Sequence, residues 1–311
     1  EEYARFGSAI SPTRFETYAR CPFEYFLTYV LGIEEVDAPS EEFQLPAMER
    51  GSLVHDLLRR LYEERLEGRS LGRLSDEEVE ASAARGAQIL DELGRVHAEN
   101  HPATWTAERE RTMDQLKALL IHERDLHAES VPAFFEYEFG ISGPAAFVFE
   151  LSRDVAVAFR GRIDRVDALP DGAIRVVDYK TGSSGRYRKN RFAGGTQLQL
   201  PIYLLAATEL METSDGSALY LMVSGPKDVP QFGTDELRAR MGEFRRALRL
   251  IVEGIAAGDF FPLPASTSDA QYGCEKYCRY RNVCGAARRN LAEMKQTDPD
   301  TARLAELRAI E

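Results

Sequence analysis

The sequence predicts a mixed α/β or α+β fold, in which a central mixed β-sheet is flanked by helices. Apolar residues recur at helical spacing up to about residue 130, apolar and polar residues alternate from 133, and helical spacing returns after a basic loop. The chain has 311 residues, of which 44% are apolar and 29% charged, values typical of a globular protein with a large core. We see no internal repeat.

The N-terminal part is expected to be helical. Ser11 and Pro12 are typical of an N-cap and a first helical position, and an aromatic-rich helix is predicted to follow. A second helix is predicted to open at Gly51 and to carry His55 one turn later. Residues 75 to 129 are predicted to be helical, with Ser75 as N-cap and a break near residues 101 and 102.

From residue 133 the pattern predicts antiparallel strands separated by glycine and proline turns. A helix in "TQLQLPIYLLAATEL", a strand in "SALYLMVSG" and a helix from about Thr234 to Ala257 are predicted after them. We therefore expect one domain with four parts: an N-terminal segment 1–50, a helical region 51–130, a core 133–262 and a cysteine-clustered C-terminal segment 263–311.

The chain carries a net charge of −12, which argues against general coating of nucleic acid, yet its charges are unevenly distributed. No acid lies between residues 179 and 208, a stretch that contains five cations: Lys180, Arg186, Arg188, Lys189 and Arg191. This positive stretch could bind phosphates locally. The apolar runs are shorter than the roughly 20 residues that span a bilayer, so no membrane segment is expected.

Four cysteines are too few for a disulfide scaffold, and three of them crowd together near the C-terminus. This spacing favours metal or cluster ligation in a reducing compartment, so a cytoplasmic protein is expected. Because the sequence opens with Glu1, it is expected to be a piece of a longer polypeptide.

Two acids are predicted to face each other across a hairpin. The turn signal centres on Asp171, with Asp164 seven residues before it and Asp178 seven after it, so a regular hairpin would place their Cβ atoms about 5 Å apart. Alternation would put Lys180 on the same face as Asp178 and turn Tyr179 away. A bulge would shift this register.

Opposed carboxylates repel unless a cation lies between them. Mg²⁺ or Mn²⁺ would suit them, and Lys180 beside the metal could position a water and stabilise charge on a phosphate. The alternative is a solvated hairpin with surface ion pairs. The coincidence of Asp164, Lys180 and the basic stretch favours metal-dependent phosphodiester hydrolysis.

Around these residues the sequence resembles the RecB-like branch of the PD-(D/E)XK nuclease superfamily. The resemblance lies in four segments that follow the family's order: "GSLVH" (51–55), "GRIDRVD" (161–167), "VVDYKTG" (176–182) and "QLPIY" (199–203). It implies a restriction-endonuclease-like core, and it spans about half the chain.

The resemblance assigns roles to single residues. It implies that His55, Asp164, Asp178 and the backbone carbonyl of Tyr179 hold the catalytic metal, and that Lys180 is the catalytic lysine. Gln199 and Tyr203, one helical turn apart, resemble a motif close to the DNA, although helix packing is an equally good interpretation of both. The cations Arg186, Arg188, Lys189 and Arg191 are expected to bind DNA.

The four cysteines are Cys21, Cys274, Cys278 and Cys284. Four thiolates suit either Zn²⁺ or a [4Fe-4S] cluster. The sequence around Cys21 resembles that of AddB-type nuclease domains, which implies an iron-sulfur cluster. The spacing of Cys274 and Cys278 is C-x3-C, however, where the family usually has C-x2-C. The cluster would be mainly structural.

The sequence therefore predicts a Mg²⁺- or Mn²⁺-dependent deoxyribonuclease, an exonuclease on single-stranded DNA ends. It is expected to be the C-terminal part of an AddB-like helicase–nuclease of double-strand break repair, or else a separate RecB-like exonuclease. No G-x-x-x-x-G-K-[ST] motif is present, so a helicase partner would supply ATP hydrolysis. The alternative is a non-catalytic DNA-binding scaffold stapled by the cysteines.

Overall fold

The computed structural model describes residues 8–34, 45–141, 145–187, 191–264, 278–284, 288–295 and 298–311. Its α-helices are α1 (Pro12–Arg20), α2 (Pro22–Tyr25), α3 (Ala47–Arg65), α4 (Asp76–Leu93), α5 (Arg95–Asn100), α6 (Pro102–Leu126), α7 (Gln199–Leu210), α8 (Thr234–Ala239), α9 (Met241–Ala257), α10 (Arg281–Cys284), α11 (Arg288–Lys295) and α12 (Ala302–Arg308). Its strands are β1 (Val131–Phe139), β2 (Phe147–Glu150), β3 (Ala156–Phe159), β4 (Gly161–Ala168), β5 (Ile174–Lys180), β6 (Gly216–Met222) and β7 (Lys227–Gly233).

Five strands form the central sheet in the order β1-β4-β5-β6-β7, and β2 and β3 form a separate hairpin. β5 and β6 run parallel, while the other neighbours run antiparallel. Helix α7 lies between β5 and β6 in the chain, as expected because parallel neighbours need a crossover connection. The predicted mixed sheet with flanking helices is confirmed.

The core has two layers because side chains alternate between the faces of the sheet. On β6, Ala218, Tyr220 and Met222 pack into an apolar cluster with α1, α7, α9 and α12. Leu219 and Leu221 of the same strand pack into a second cluster with α3, α4 and α6. The sheet therefore separates a helical layer built by residues 47–126 from a layer that contains α1, α7, α9 and α12.

The predicted register of the β4–β5 hairpin is confirmed over its ladder. Arg165 pairs with Val177, Asp167 with Arg175 and residue 168 with 174, so each pair is centred on residue 171. The ladder ends one step before Asp164 and Asp178. These two acids therefore lie where β4 and β5 are no longer paired with each other, although β5 is still paired with β6 there.

Several predicted helix ends are confirmed. Ser11 is the N-cap of α1 with Pro12 in the first turn, and Ser75 forms a capping box with Glu78 at the start of α4. The predicted break before Pro102 separates α5 from α6.

Other boundaries were predicted wrongly. Helix α3 begins at Ala47 rather than at Gly51, because Pro46 serves as N-cap and good helix formers follow it. The first helix is interrupted at Cys21, whose extended backbone (φ −159°, ψ 108°) reflects the steric demand of the proline that follows.

Two further differences lie after residue 225. Strand β7 was not predicted; it lies at the sheet edge, where Pro230 is tolerated. The predicted helix over 234–257 is divided at Arg240 into α8 and α9. Among the described residues, no helix is long and apolar enough to cross a membrane.

Candidate metal-dependent active site

The end of β5 carries the predicted acid and lysine. Asp178 is 2% exposed, and its carboxylate forms an ion pair with the ammonium group of Lys180. Tyr179 points to the opposite face, where its hydroxyl accepts a hydrogen bond from Arg165 Nη1 at 2.7 Å. The predicted alternation along β5 is therefore confirmed.

His55 reaches this strand end from α3. Its Nε2 lies 3.1 Å from the carbonyl oxygen of Tyr179, and its Nδ1 lies 3.4 Å from Asp164 Oδ2. Burial lowers the pKa of His55, but the hydrogen bond and charge of Asp164, together with the charge of Asp178, outweigh burial and raise the pKa to about 9. The ring thus lies in a strongly negative environment.

Asp164 links the two strands where their ladder ends. Its Oδ2 accepts a hydrogen bond of 2.8 Å from the backbone N–H of Tyr179. The pKa of Asp178 is raised to about 6, chiefly by burial and further by the charge of Asp164, although Lys180 opposes the shift. The two carboxylates therefore interact unfavourably, as expected for acids that share a site.

Glu136 joins the site without having been predicted. One ligand atom from each of His55, Glu136 and Asp164 lies within 4.8 Å of the others. On the β1–β4 ladder Glu136 stands opposite Asp164, between the pairs Phe135–Arg165 and Tyr137–Ile163. The register between these strands cannot be inferred from sequence because β2 and β3 intervene between them.

The donor set fits a divalent cation. An imidazole nitrogen and carboxylate oxygens are ligands that such ions accept. Burial and the charge of Asp164 raise the pKa of Glu136 as they raise that of Asp178, so the acids of the site repel one another. Of the four expected ligands, the structure brings His55 to both Asp164 and the Tyr179 carbonyl, whereas the carboxylate of Asp178 is paired with Lys180.

Lys180 is held by polar and aromatic neighbours. Its Nζ donates to Gln199 Oε1 at 3.3 Å and lies 5.1 Å from the centre of the Tyr220 ring. Gln199 is the first residue of α7, and the backbone N–H groups of Leu198 and Gln199 both donate to Glu16 Oε1, at 2.7 and 2.8 Å. Glu16 was not predicted to belong to the site, because only folding brings α1 to the start of α7.

Tyr203 lies one turn further along α7 and is 6% exposed. Its ring packs edge to face against Phe139, with 5.7 Å between the ring centres. Burial raises its pKa to about 12. Tyr203 also has a hydrogen bond with the side chain of Gln199, so it both packs in the core and borders the site.

The basic loop is described only in part. The backbone of Arg186 lies in a 3₁₀ turn, Ser184–Arg186, while Arg188 and Lys189 lie outside the described residues. Arg191 is partly exposed and lies 3.8 Å from a carboxylate oxygen of Glu311.

Three of the four cysteines fall in described segments: Cys21 lies between α1 and α2, Cys278 precedes α10 and Cys284 ends it; all three are half-buried. Cys274 lies outside the described residues. Burial raises the pKa of the Cys21 thiol to about 12, and the nearby Cys278 contributes to this rise.

The C-terminal cysteine segment contacts the N-terminal one through Tyr280. Its hydroxyl donates to the carbonyl oxygen of Ile33 at 2.7 Å and lies 3.0 Å from Thr28 Oγ1. Both segments that carry the described cysteines are thereby brought together.

The fold and this site define a class of protein. The model of the PD-(D/E)XK nuclease superfamily matches residues 9–285, and the chain belongs to this superfamily. Its members are nucleases, and the acids, lysine and histidine described above all lie within the matched range.

More particular similarity is to the B-type subunits of ATP-dependent helicase/deoxyribonucleases. The one from Clostridioides difficile is 28% identical over 244 residues, which cover 74% of this chain and 20% of the relative. The one from Moorella thermoacetica is 32% identical over 237 residues, which cover 70% and 20%. The chain thus spans about a fifth of the length of these relatives.

One solved structure, the crystal structure of SSO0001, covers 85% of this chain and 93% of its own at 14% identity. Its TM-score is 0.27, too low to support an argument.

Proposed function

We propose that this chain is a Mg²⁺- or Mn²⁺-dependent DNA nuclease that removes nucleotides from single-stranded ends. The observation that supports this most strongly is the pairing of Asp178 with Lys180 at the end of β5, beside the contact between His55 and Asp164. An acid and a lysine held together next to a second acid and an imidazole suit phosphodiester hydrolysis better than they suit a surface ion pair.

His55, Asp164, Asp178 and the carbonyl oxygen of Tyr179 would hold the cation. The approach of His55 to both Asp164 and Tyr179 supports this set. A bound divalent cation would polarise the phosphate and lower the pKa of a bound water. The carboxylate of Asp178 would then be shared with Lys180.

The chain's own residues would do the positioning. Lys180 would place its positive charge where negative charge builds on the phosphate, an arrangement that lowers the barrier when the group is preorganised. Gln199 restrains its ammonium group through a hydrogen bond of 3.3 Å, and Glu16 holds the first turn of α7.

DNA would approach along the basic stretch, which begins directly after Lys180. Arg186, Arg188, Lys189 and Arg191 would bind backbone phosphates, with Gln199 near the DNA and Tyr203 supporting it from the interior. Arg191 would exchange Glu311 for a phosphate, which costs little because an exposed ion pair contributes at most about 1 kcal/mol.

We further propose that Cys21, Cys274, Cys278 and Cys284 bind a [4Fe-4S] cluster, with Zn²⁺ as the alternative occupant. The proximity of Cys21 to Cys278 and the contacts of Tyr280 with the N-terminal segment support this. Because thiols ligate only as thiolates, a bound centre would have to overcome the raised pKa of Cys21.

The names of the relatives suggest the process in which this chain acts. They are named as subunits of helicase–deoxyribonucleases, so we place this chain, acting as one nuclease domain, in an AddB-like enzyme of cytoplasmic double-strand break repair. A helicase partner would deliver single-stranded DNA to the basic stretch.

Incubating the purified chain with end-labelled single-stranded DNA and Mg²⁺ or Mn²⁺ tests the proposal. We expect progressive shortening from an end, and a rate at least about 100-fold lower for Asp178→Asn, because a ligand should matter no less than the outer-shell residues whose loss costs 10- to 100-fold. Asp171→Asn is the matched control; it lies at the turn of the same hairpin, where its Oδ1 accepts the N–H of Ala173.

Internal cleavage products would support a nuclease but contradict the proposal that it is an exonuclease. Inactivity of the wild type with both metals, or equal rates for the wild type and a folded Asp178→Asn, would leave the non-catalytic DNA-binding scaffold instead.

A further inference from the structure

A buried carboxylate of α6 lies behind the site, on the side of the sheet that α3, α4 and α6 cover. The two oxygens of Glu123 contact two different elements: Oε2 accepts a hydrogen bond from the Tyr62 hydroxyl on α3, and Oε1 lies 2.5 Å from Arg165 Nη2 on β4. We propose that Glu123 and Arg165 are a positioning pair that holds together the elements bearing the metal ligands. This inference rests on the proposed function and gives a role to a helix that carries none of the four motif segments.

Arg165 extends this contact to β5. Its Nη1 donates to the Tyr179 hydroxyl at 2.7 Å, and its guanidinium lies 4.8 Å from the centre of the Tyr62 ring and 5.5 Å from that of Tyr179. Glu123, Tyr62, Arg165 and Tyr179 are all buried and form one connected group, the rear network. One carboxylate and one guanidinium therefore join α3, β4 and β5.

The first argument is that each end of the rear network lies close to an expected ligand. Tyr62 follows His55 by two helical turns and so lies on the same side of α3. Arg165 directly follows Asp164 on β4. The carbonyl oxygen of Tyr179, itself an expected ligand, contacts His55 Nε2. A displacement within the rear network would therefore move ligands on three elements relative to one another.

The second argument is that backbone pairing between β4 and β5 stops just before the site. The last pair joins Arg165 to Val177, so this ladder does not fix the distance between the two strands beyond it. There the N–H of Tyr179 donates to Asp164 Oδ2 at 2.8 Å, while the Tyr179 hydroxyl is held by Arg165. Tyr179 is thus restrained at its backbone and at the tip of its side chain, which also restrains the direction of its carbonyl group.

A purely structural role would leave the charges of this pair unexplained. Burial alone would raise the pKa of Glu123, but the charge of Arg165 and the hydrogen bond with His127 outweigh it and hold the pKa below its ordinary value. A buried ion pair is a weak means of stabilising a core, because loss of hydration offsets most of the attraction between the charges. Groups that orient metal ligands from behind, in contrast, change metal affinity by about 10- to 100-fold when they are lost.

Removing single hydroxyl groups tests the pair without leaving a buried charge unpaired, a change that would strongly destabilise the chain. Tyr62→Phe and Tyr179→Phe each remove one contact of the pair and keep the ring and the backbone. Tyr18→Phe is the matched control, since it also deletes the hydroxyl of a buried tyrosine, which donates to the Asp259 carbonyl oxygen at 3.1 Å in the opposite layer. All three variants should melt at a lower temperature than the wild type, so stability alone does not separate the two roles.

Calorimetric titration of the metal-free chain with Mn²⁺ separates them without measuring activity. We expect Tyr62→Phe and Tyr179→Phe each to raise the Kd for Mn²⁺ about 10-fold, and Tyr18→Phe to stay within about twofold of the wild type. Because both hydroxyls act through the same pair, the double variant Tyr62→Phe/Tyr179→Phe should weaken binding by less than the product of the single effects.

Wild-type affinity in either rear-network variant, or an equal loss of affinity in Tyr18→Phe, would overturn the inference and leave the proposed function standing. Single effects that multiply fully in the double variant would also overturn it, because the two hydroxyls would then act independently. Failure of the wild type itself to bind Mn²⁺ would overturn both the inference and the proposed function.

Discussion

Single residues decide how closely the elements of this fold approach each other, and Gly254 is the clearest case. It lies in the last turn of α9 where that helix packs against α1, and a Cβ built on it would stand 2.1 Å from the Tyr18 hydroxyl. Tyr18 is buried, and its hydroxyl donates to the carbonyl oxygen of Asp259 at 3.1 Å. The missing side chain therefore creates the space for a buried hydrogen bond.

Gly254→Ala is expected to destabilise the chain by about 1–3 kcal/mol, because overpacking displaces Tyr18 and outweighs a helix-propensity gain of at most about 1 kcal/mol. Gly242→Ala is the matched control in the same helix, where no atom lies within 4 Å of the added Cβ; it should be neutral or stabilising. Urea unfolding of both variants measures this, and equal effects would contradict the packing argument.

The residues of the site divide by what positions them. Asp164, Asp178 and Lys180 could be identified from sequence because a turn centre and strand alternation are local properties. Glu136 and Glu16 could not, because each reaches the site through an element that lies far away in the chain.

At the scale of elements, a half-buried polar connection joins the end of α6 to the edge strand β7. His127, the residue that follows α6, places its Nε2 2.8 Å from Asp228 Oδ2, and His122 on α6 places its Nε2 3.0 Å from the other oxygen. Burial lowers the pKa of His127, but Asp228 and Glu123 outweigh burial and raise it to about 9. The pKa of Asp228 falls to about 2; burial opposes this shift, but the hydrogen bonds from the two histidines prevail.

These shifts predict a pH dependence of stability. A histidine whose folded pKa lies above its ordinary value of 6.5 stabilises the fold fully below pH 6.5, and this contribution disappears as the pH rises through about 9. His127→Gln should therefore show a shallower decline of melting temperature over this range, with about 1–2 kcal/mol less change in the free energy of unfolding than the wild type.

Exposed His101 offers the control, since His101→Gln should retain the wild-type slope. Parallel curves for the wild type and His127→Gln would show that this histidine does not take up a proton on folding. Below pH 4 the contribution of Asp228 should decline in turn as the pH approaches about 2.

At the scale of the whole molecule, two arrangements hold distant parts together. Buried Arg165 forms ion pairs with Glu123 from the helical layer and with Asp167 on its own strand, and it thereby ties α6 to the sheet. The contacts of Tyr280 bring the C-terminal cysteine segment to the N-terminal one. A metal centre bound by the cysteines would further link the C-terminal segment to the N-terminal one.

Anaerobically purified wild type is expected to absorb near ~400 nm and to contain iron, and Cys21→Ser should lose both. The melting temperature of Cys21→Ser should also fall, because a cluster between Cys21 and Cys278 closes a loop of more than 250 residues, and a cross-link over so long a loop contributes about 5 kcal/mol in the chain-entropy model. Wild type stripped of iron is the control and should resemble the variant. A colourless protein with stoichiometric zinc would show that the cysteines bind Zn²⁺ instead of an iron-sulfur cluster. A protein without either metal would contradict the proposal of a metal centre at the cysteines.

The sequence by itself determined the mixed α/β class, the caps of α1 and α4, the β4–β5 register and the alternation that separates Asp178 and Lys180 from Tyr179. These features depend on neighbours within a few residues or on one tight turn, so a local pattern is sufficient to predict them. The tertiary structure alone decided that edge strand β7 exists, that Glu16 holds the start of α7 and that Glu136 stands beside Asp164. These features depend on the pairing and packing of segments that are distant in the chain, and the register between such segments is set by how their faces are buried in the folded protein.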